Sequence, residues 1–349
     1  MSDLLEVTEH GLWAADGGYH VDPVKPVPLA VVTHAHMDHA RPGSERYLAP
    51  HASLPFLRQR LGDDAVIDTL PFGEPYRLGN HQLSFHPAGH VRGSAQVRIE
   101  ADGDVWVVSG DYKRAADPTA RGFEVVEADV FITEATFALP IYRWPSTSEV
   151  IDELVDWWRR AADDGRAAVL FCYAFGKAQR ILAELVGRAP GPVWLHGAMA
   201  ALTRAYREDG VELVETNLVA EAEKGQSWAG GLILAPPSAR GTTWMRRFGN
   251  ATTAFASGWM RVRGRRRWRG VDRGFVLSDH ADWSEILATI RETGARRVLT
   301  THGFAEPLAR YLRDDGYQAE PIELRREGGD DDGSNDDASN DDASSASES

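Results

Sequence analysis

Cysteine, lysine and long apolar runs are what this chain has little of. A single cysteine, Cys172, in 349 residues leaves no partner for an intrachain disulfide, so a reducing, cytoplasmic setting is the simplest expectation. Cys172 itself lies in an apolar run and reads as core. No apolar stretch approaches the roughly 20 residues that span a bilayer. The start, Met1-Ser2-Asp3-Leu4-Leu5-Glu6, lacks the basic flank and apolar centre of a secretory signal. Neither membrane insertion nor export is therefore expected. Of 38 basic residues, only four are lysine. What the chain does have is 43% hydrophobic residues over its 349 positions, sufficient for two domains with their own cores.

The formal charge of −14 is unevenly spread. From Glu327 onward there are nine acidic residues, no basic ones and a repeated Ser-Asn-Asp-Asp-Ala. So polar a stretch buries too little to offset its ordering entropy, and residues 327–349 are expected to form a disordered tail. The remainder carries about −5, which leaves room for basic patches and a polyanionic partner.

Thr33-His34-Ala35-His36-Met37-Asp38-His39-Ala40 packs three imidazoles and a carboxylate into six positions, directly after the apolar run 29–32. With only 12 histidines in the chain, that density is hard to read as a chance surface turn. Imidazole and carboxylate are the donors that suit zinc-like ions. On a tight turn, His34 and His36 can face one ion while Asp38 and His39 face a second. Elsewhere, short and often β-branched runs stop at polar residues. Residues 82–85 precede His90, 105–108 precede Asp111, 130–133 end at Glu134, 275–277 precede His280, and 298–301 end at His302. Such runs read as strands, whose ends on one sheet edge gather residues distant in sequence. Between them, 148–162 has helical spacing, 167–171 reads as a buried strand, 177–186 as a helix and 193–195 as another strand. That alternation predicts a parallel α/β module inserted into the first domain. The expected division is 1–145 and 275–326 for the first domain and 146–274 for the insertion.

Together His34, His36, Asp38, His39, His90, Asp111 and His302 offer five imidazoles and two carboxylates, enough for two divalent ions if Asp111 bridges them. Such a pair lowers the pKa of a shared water and clamps a phosphoryl oxygen. In their order these motifs resemble the metallo-β-lactamase fold, an α/β (αββα) sandwich with a dinuclear zinc site. Glu134, His280 and the inserted module resemble its β-CASP nuclease branch. The resemblance implies that His34, His36 and His90 hold one ion, that Asp38, His39 and His302 hold the other, and that Asp111 bridges. It implies zinc, with manganese as the alternative. It further implies a catalytic set of Asp38, Glu134 and His280, in which Glu134 orients His280 and His280 protonates the leaving oxygen. The resemblance covers the chain apart from the tail. Segments 133–145, 193–198, 258–268 and 278–283 look like the DNA-ligase-associated exonucleases, which implies DNA-end processing beside an ATP-dependent DNA ligase and a helicase. One departure points elsewhere. The cross-link-repair members usually carry valine where this chain has His302, and the RNA-processing members carry histidine. A ribonuclease of the ribonuclease J or pre-mRNA cleavage kind therefore stays open.

Arg261, Arg263, Arg265, Arg266, Arg267 and Arg269 crowd one segment, with Trp259 and Trp268 among them. Guanidinium groups fork onto phosphate and indole stacks on bases, so the segment is expected to track a nucleic-acid backbone. A solvated basic loop is the plainer alternative. Lys177, at a strand-to-helix turn, is expected near a phosphate, and His196 near substrate. His10, His20, His51, His81 and His86 read as structural. A hydrolase of small thioester-like substrates would need neither the arginines nor the insertion. An inactive nucleic-acid-binding scaffold would be expected to have lost ligands, and none is missing.

Overall fold

The computed structural model of the chain describes residues 3–262 and 270–324. These residues divide into two compact units: the first ends at Trp144 and resumes at Ser278, and the second is Pro145–Leu277.

Two sheets build the first unit. One places Glu6–Thr8, Gly11–Ala14, Tyr19–Val21, Leu29–Val31, Arg46–Pro50 and Ile67–Leu70 side by side in chain order. The other runs Gln318–Pro321, Arg297–Thr301, Val130–Glu134, Asp104–Val108, Ala95–Ala101, His81–Pro87, Tyr76–Leu78. Side-chain alternation along each strand decides the layering. Trp106, Val108 and Ile132 point into a core shared with Leu12, Val21, Val31 and Leu48 of the first sheet. Their neighbours Val107, Phe131 and Val298 pack on the opposite face with Ile286, Ile290, Leu308 and Leu312. Those four lie on the helices Trp283–Glu292 and Ala305–Asp314. Strands covered on both faces must be apolar throughout, which is why 105–108 and 130–132 read as unbroken runs. The result is an α/β sandwich.

The helix Trp283–Glu292 starts immediately after His280 because Asp282 caps it. The Asp282 carboxylate accepts from the Glu285 amide, and Glu285 accepts from the Asp282 amide, both at 3.0 Å. Asp282 also accepts from the Trp144 amide at 3.0 Å. The cap therefore holds the stretch that carries His280.

The second unit is a six-stranded, all-parallel sheet ordered Thr216–Leu218, Val193–Leu195, Leu232–Ala235, Ala168–Phe171, Thr252–Ala256, Arg273–Phe275. Helices Thr147–Asp163, Lys177–Glu184 and Ala200–Glu208 alternate with its strands. One strand differs from the sequence reading. Of the run 275–277 only Phe275 pairs, in the strand Arg273–Phe275, and it pairs within this parallel sheet. The Leu277 amide turns back onto the Phe275 carbonyl at 3.1 Å, which ends the extended ladder. His280 therefore follows a turn, not a strand end. Among the described residues, no helix is long and apolar enough to cross a membrane.

Candidate metal centre

Strand ends of the first unit carry the donors. His34 and His36 follow Leu29–Val31, His90 follows His81–Pro87, Asp111 follows Asp104–Val108, and His302 follows Arg297–Thr301. Two glycines permit the close approaches. Gly110 adopts φ 55°, and a Cβ there would meet the Thr33 side chain at 2.8 Å. Gly303 adopts φ 46°, and a Cβ would meet the Thr136 Cα at 2.5 Å. His302 itself sits at φ 62°, a left-handed conformation that costs a non-glycine residue on the order of 1 kcal/mol or more. Such strain is retained where an imidazole must be aimed.

The ring nitrogens of His34, His36 and His90 and a carboxylate oxygen of Asp111 all lie within 4.8 Å of one another. His36 Nδ1 is 3.0 Å from both His34 Nε2 and His90 Nε2. Asp111 Oδ2 is 3.6 Å from His34 Nε2 and 3.8 Å from His90 Nε2. A tetrahedral ion with metal–nitrogen bonds of ~2.0–2.1 Å spaces its ligands about 3.3 Å apart, so this quartet fits one ion.

The tautomers fit as well. His90 Nδ1 faces the Asp279 carbonyl at 2.8 Å and must donate to it, leaving the lone pair on Nε2. His34 Nδ1 donates to Thr33 Oγ1 at 3.0 Å, because the Thr33 hydroxyl proton is already given to Asp22 Oδ2 at 2.6 Å. Burial first, and then the neighbouring imidazoles, hold both His34 and His90 well below the ordinary histidine range, so both present lone pairs.

A second cluster adjoins the first. His39 Nε2 is buried without a hydrogen bond and lies 3.4 Å from both Asp38 Oδ2 and Asp111 Oδ2. Its other nitrogen donates to Asp22 Oδ2 at 2.7 Å. Burial lowers the His39 pKa, but Asp38, Asp111 and Asp22 outweigh it and hold the group well above its usual range. Burial likewise raises Asp111, and His39 with its neighbours overrides that to keep the carboxyl ionised. Carboxylates that hold a proton at this point would equally hold a cation. The His302 ring stacks 5.7 Å from that of His39, and a cavity is lined by Asp38, His39 and His302.

Asp22 is the residue the sequence reading missed. It accepts from the Thr33 amide and hydroxyl and from His39, and so sets the tautomers of two histidines at once. Its only sequence signature is an acid at the end of the run 19–21, before Pro23.

Beside these clusters, His280 Nδ1 donates to Glu134, 2.9 Å from Oε2 and 3.1 Å from Oε1. Glu134 is held in turn by the Tyr112 amide at 2.8 Å. The Trp144 indole donates to the His280 carbonyl at 2.9 Å. The ring of His280 lies 4.6 Å from that of His90, and its side chain is 23% exposed, enough to meet a substrate.

The expected nucleic-acid contacts are less uniform. Arg261 is exposed at the end of the turn Gly258–Arg261, and His196 is half-buried after the strand Val193–Leu195. Two of the expected contacts are buried: Trp259 is 7% exposed and Lys177, the first residue of the helix Lys177–Glu184, is 2% exposed. The residue types were suggestive, but burial is decided by tertiary packing. Arg263, Arg265, Arg266, Arg267 and Arg269, with Trp268, lie outside the described residues.

The sandwich carries at its strand ends adjoining histidine–carboxylate clusters of the donor types that hold divalent ions. No family profile matches the chain. It is 32% identical over 315 residues to a protein of Opitutus terrae named "Probable DNA ligase", a match covering 90% of this chain and 30% of that one. To an "RNase J-like protein" of Methanocaldococcus jannaschii it is 25% identical over 190 residues, 45% of this chain and 43% of the other. The chain thus spans less than half the length of these curated relatives. A crystal structure of a protein of unknown function from Enterococcus faecalis V583 shares the fold, with a TM-score of 0.56 and 13% identity over 85% of this chain and 79% of that one. The chain belongs to the β-CASP branch of the metallo-β-lactamase fold.

Proposed function

We propose that this protein is a metal-dependent nuclease, an exonuclease that trims DNA ends before ligation. The observation that carries the reading is one cluster of four converging metal donors with a carboxylate-held histidine beside it. His34, His36, His90 and Asp111 would hold one divalent ion, zinc or manganese, and Asp38, His39, His302 and Asp111 a second. When bound, such ions activate water and neutralise phosphate charge.

The chain's own groups do the rest. Glu134 accepts the Nδ1 proton of His280 and so fixes which nitrogen is presented to substrate. The charged imidazole then gives its Nε2 proton to the departing oxygen, which would otherwise leave as an alkoxide. The Trp144 and Tyr112 hydrogen bonds keep that pair in register. The likeness to a ligase-named protein over 90% of this chain supports DNA as the polymer and a DNA ligase as a working partner; a helicase partner is proposed from the family resemblance alone.

A ribonuclease is the second reading, favoured by His302 and by the likeness to the RNase J-like protein. End-labelled DNA and RNA of matched sequence, single- and double-stranded, incubated with zinc or manganese, separate the two. Stepwise shortening of DNA is the expected result. Cleavage of RNA alone would replace it with the second reading, and no cleavage of either would remove the nuclease assignment.

A further inference from the structure

The catalytic clusters lie wholly in the first unit, yet the second unit carries a feature that none of them uses. Between Glu223 and Asp272 the chain has no acidic residue, while it carries Lys224 and nine arginines. In a protein with a formal charge of −14, that is a strong local reversal. Three rings of the stretch, Trp228, Phe248 and Trp244, join Trp194 and His196 in a continuous edge-to-face row. Trp194 meets Trp228 at 5.1 Å, Trp228 meets Phe248 at 5.0 Å, Phe248 meets Trp244 at 4.7 Å, and Trp244 meets His196 at 4.7 Å.

The row is graded in burial. Phe248 is 5% exposed, whereas Trp244 and His196 are half-buried. Arg247 is exposed and lies 5.5 Å over the Trp244 ring, with Arg246 exposed beside it. His196 is fixed by two hydrogen bonds: Nδ1 accepts from the Ala198 amide at 3.1 Å, and its own amide donates to the Leu234 carbonyl at 2.9 Å. Nε2 therefore carries the proton and is a donor. Trp244 and His196 follow the carboxyl ends of the adjacent parallel strands Leu232–Ala235 and Val193–Leu195, the edge where open α/β sheets bind ligands.

A rigidly backed, half-exposed indole with a guanidinium over it and a neutral imidazole donor at its side matches the chemistry of an unpaired base on its phosphate backbone. A duplex keeps its base faces stacked internally and offers such a platform nothing. We propose that Trp244, Arg247 and His196 form a base-stacking subsite for single-stranded nucleic acid, so that the substrate end is engaged as an unpaired strand. This deepens the nuclease reading and rests on it for the identity of the polymer.

The test uses the full chain in a chelator, so that binding is read without cleavage. Fluorescence anisotropy with a labelled 15-nucleotide single-stranded DNA, its blunt duplex and a matched single-stranded RNA gives three affinities. The wild type should prefer single strands. Trp244→Ala should weaken single-strand binding roughly 5- to 100-fold and leave duplex binding nearly unchanged, the loss of one stacked base. Trp244→Phe should restore most of it, which separates stacking from a folding defect. Arg247→Ala should lower the salt slope by about one. An unchanged Trp244→Ala affinity, a parallel loss for duplex, or a wild type without single-strand preference overturns the subsite. Hydrolysis of bis(4-nitrophenyl) phosphate with manganese reads the first unit alone. A wild type that cannot hydrolyse this ester or any polymer, but binds single strands through Trp244, would sink the nuclease reading and keep the subsite.

Discussion

Asp22 is a positioning residue with leverage out of proportion to its distance from any ion. Through Thr33 it sets the lone pair of His34, and directly it sets that of His39. Asp22→Ala should weaken metal affinity roughly 10- to 100-fold, read by competition with a chromophoric chelator. Unchanged affinity would show that packing alone orients both rings. His280→Ala should behave differently. It lies beside the centre, its ring 4.6 Å from that of His90 and a ring nitrogen within 4.8 Å of an Asp111 oxygen, but it is outside the quartet of His34, His36, His90 and Asp111, so the variant should keep its metal by elemental analysis while cleavage falls about 10²- to 10⁴-fold.

His20 supplies a pH test away from the ligands. Burial first, and then His10, push its pKa down to about 4. Below about pH 6.5 the unfolded chain takes up a proton that the folded chain refuses until about pH 4, so stability falls through that window. His20→Phe keeps a ring against Trp13, and its urea midpoint should fall less between pH 7 and pH 4.5 than that of the wild type. At this scale the sequence displayed most of the residues that the structure brings together, because imidazole-rich turns are conspicuous. Asp22 stayed hidden because an acid before proline looks like any turn. That Lys177 and Trp259 are buried was not legible, because residue type does not report burial.

Elements fail or hold for reasons that local sequence states more clearly. The helix Thr147–Asp163 is started by Ser146, which caps the Glu149 amide at 3.3 Å and receives the Glu149 carboxylate in return. Ser146→Ala should cost about 1 kcal/mol in denaturant unfolding. Ile132, 1% exposed between the sheets, should cost about 2–5 kcal/mol as alanine, and a smaller loss would mean that the sandwich collapses around the gap. Strands covered on both faces were legible as apolar runs, and Thr147–Asp163 as a helical period. The run 275–277 was not, since nothing local says which of two sheets an apolar strand will join.

At the scale of the whole molecule, every donor described above belongs to the first unit. Adding zinc to the chelated protein should therefore slow amide exchange at the strand ends of that unit and leave the parallel sheet Ala168–Phe171, Leu232–Ala235, Thr252–Ala256 unchanged. Equal protection in both would show that the units are energetically coupled.

The interrupted first unit has a consequence for how the protein is made. A nascent chain that has emerged as far as Leu277 already contains His34, His36, His90, Asp111 and Glu134. It still lacks the Asp279 carbonyl that fixes His90, the Glu134-bound His280, and His302. The 133 residues of Pro145–Leu277 thus act as a built-in delay. On the proposed function, a chain terminated before Ser278 would lack these groups and so be inactive.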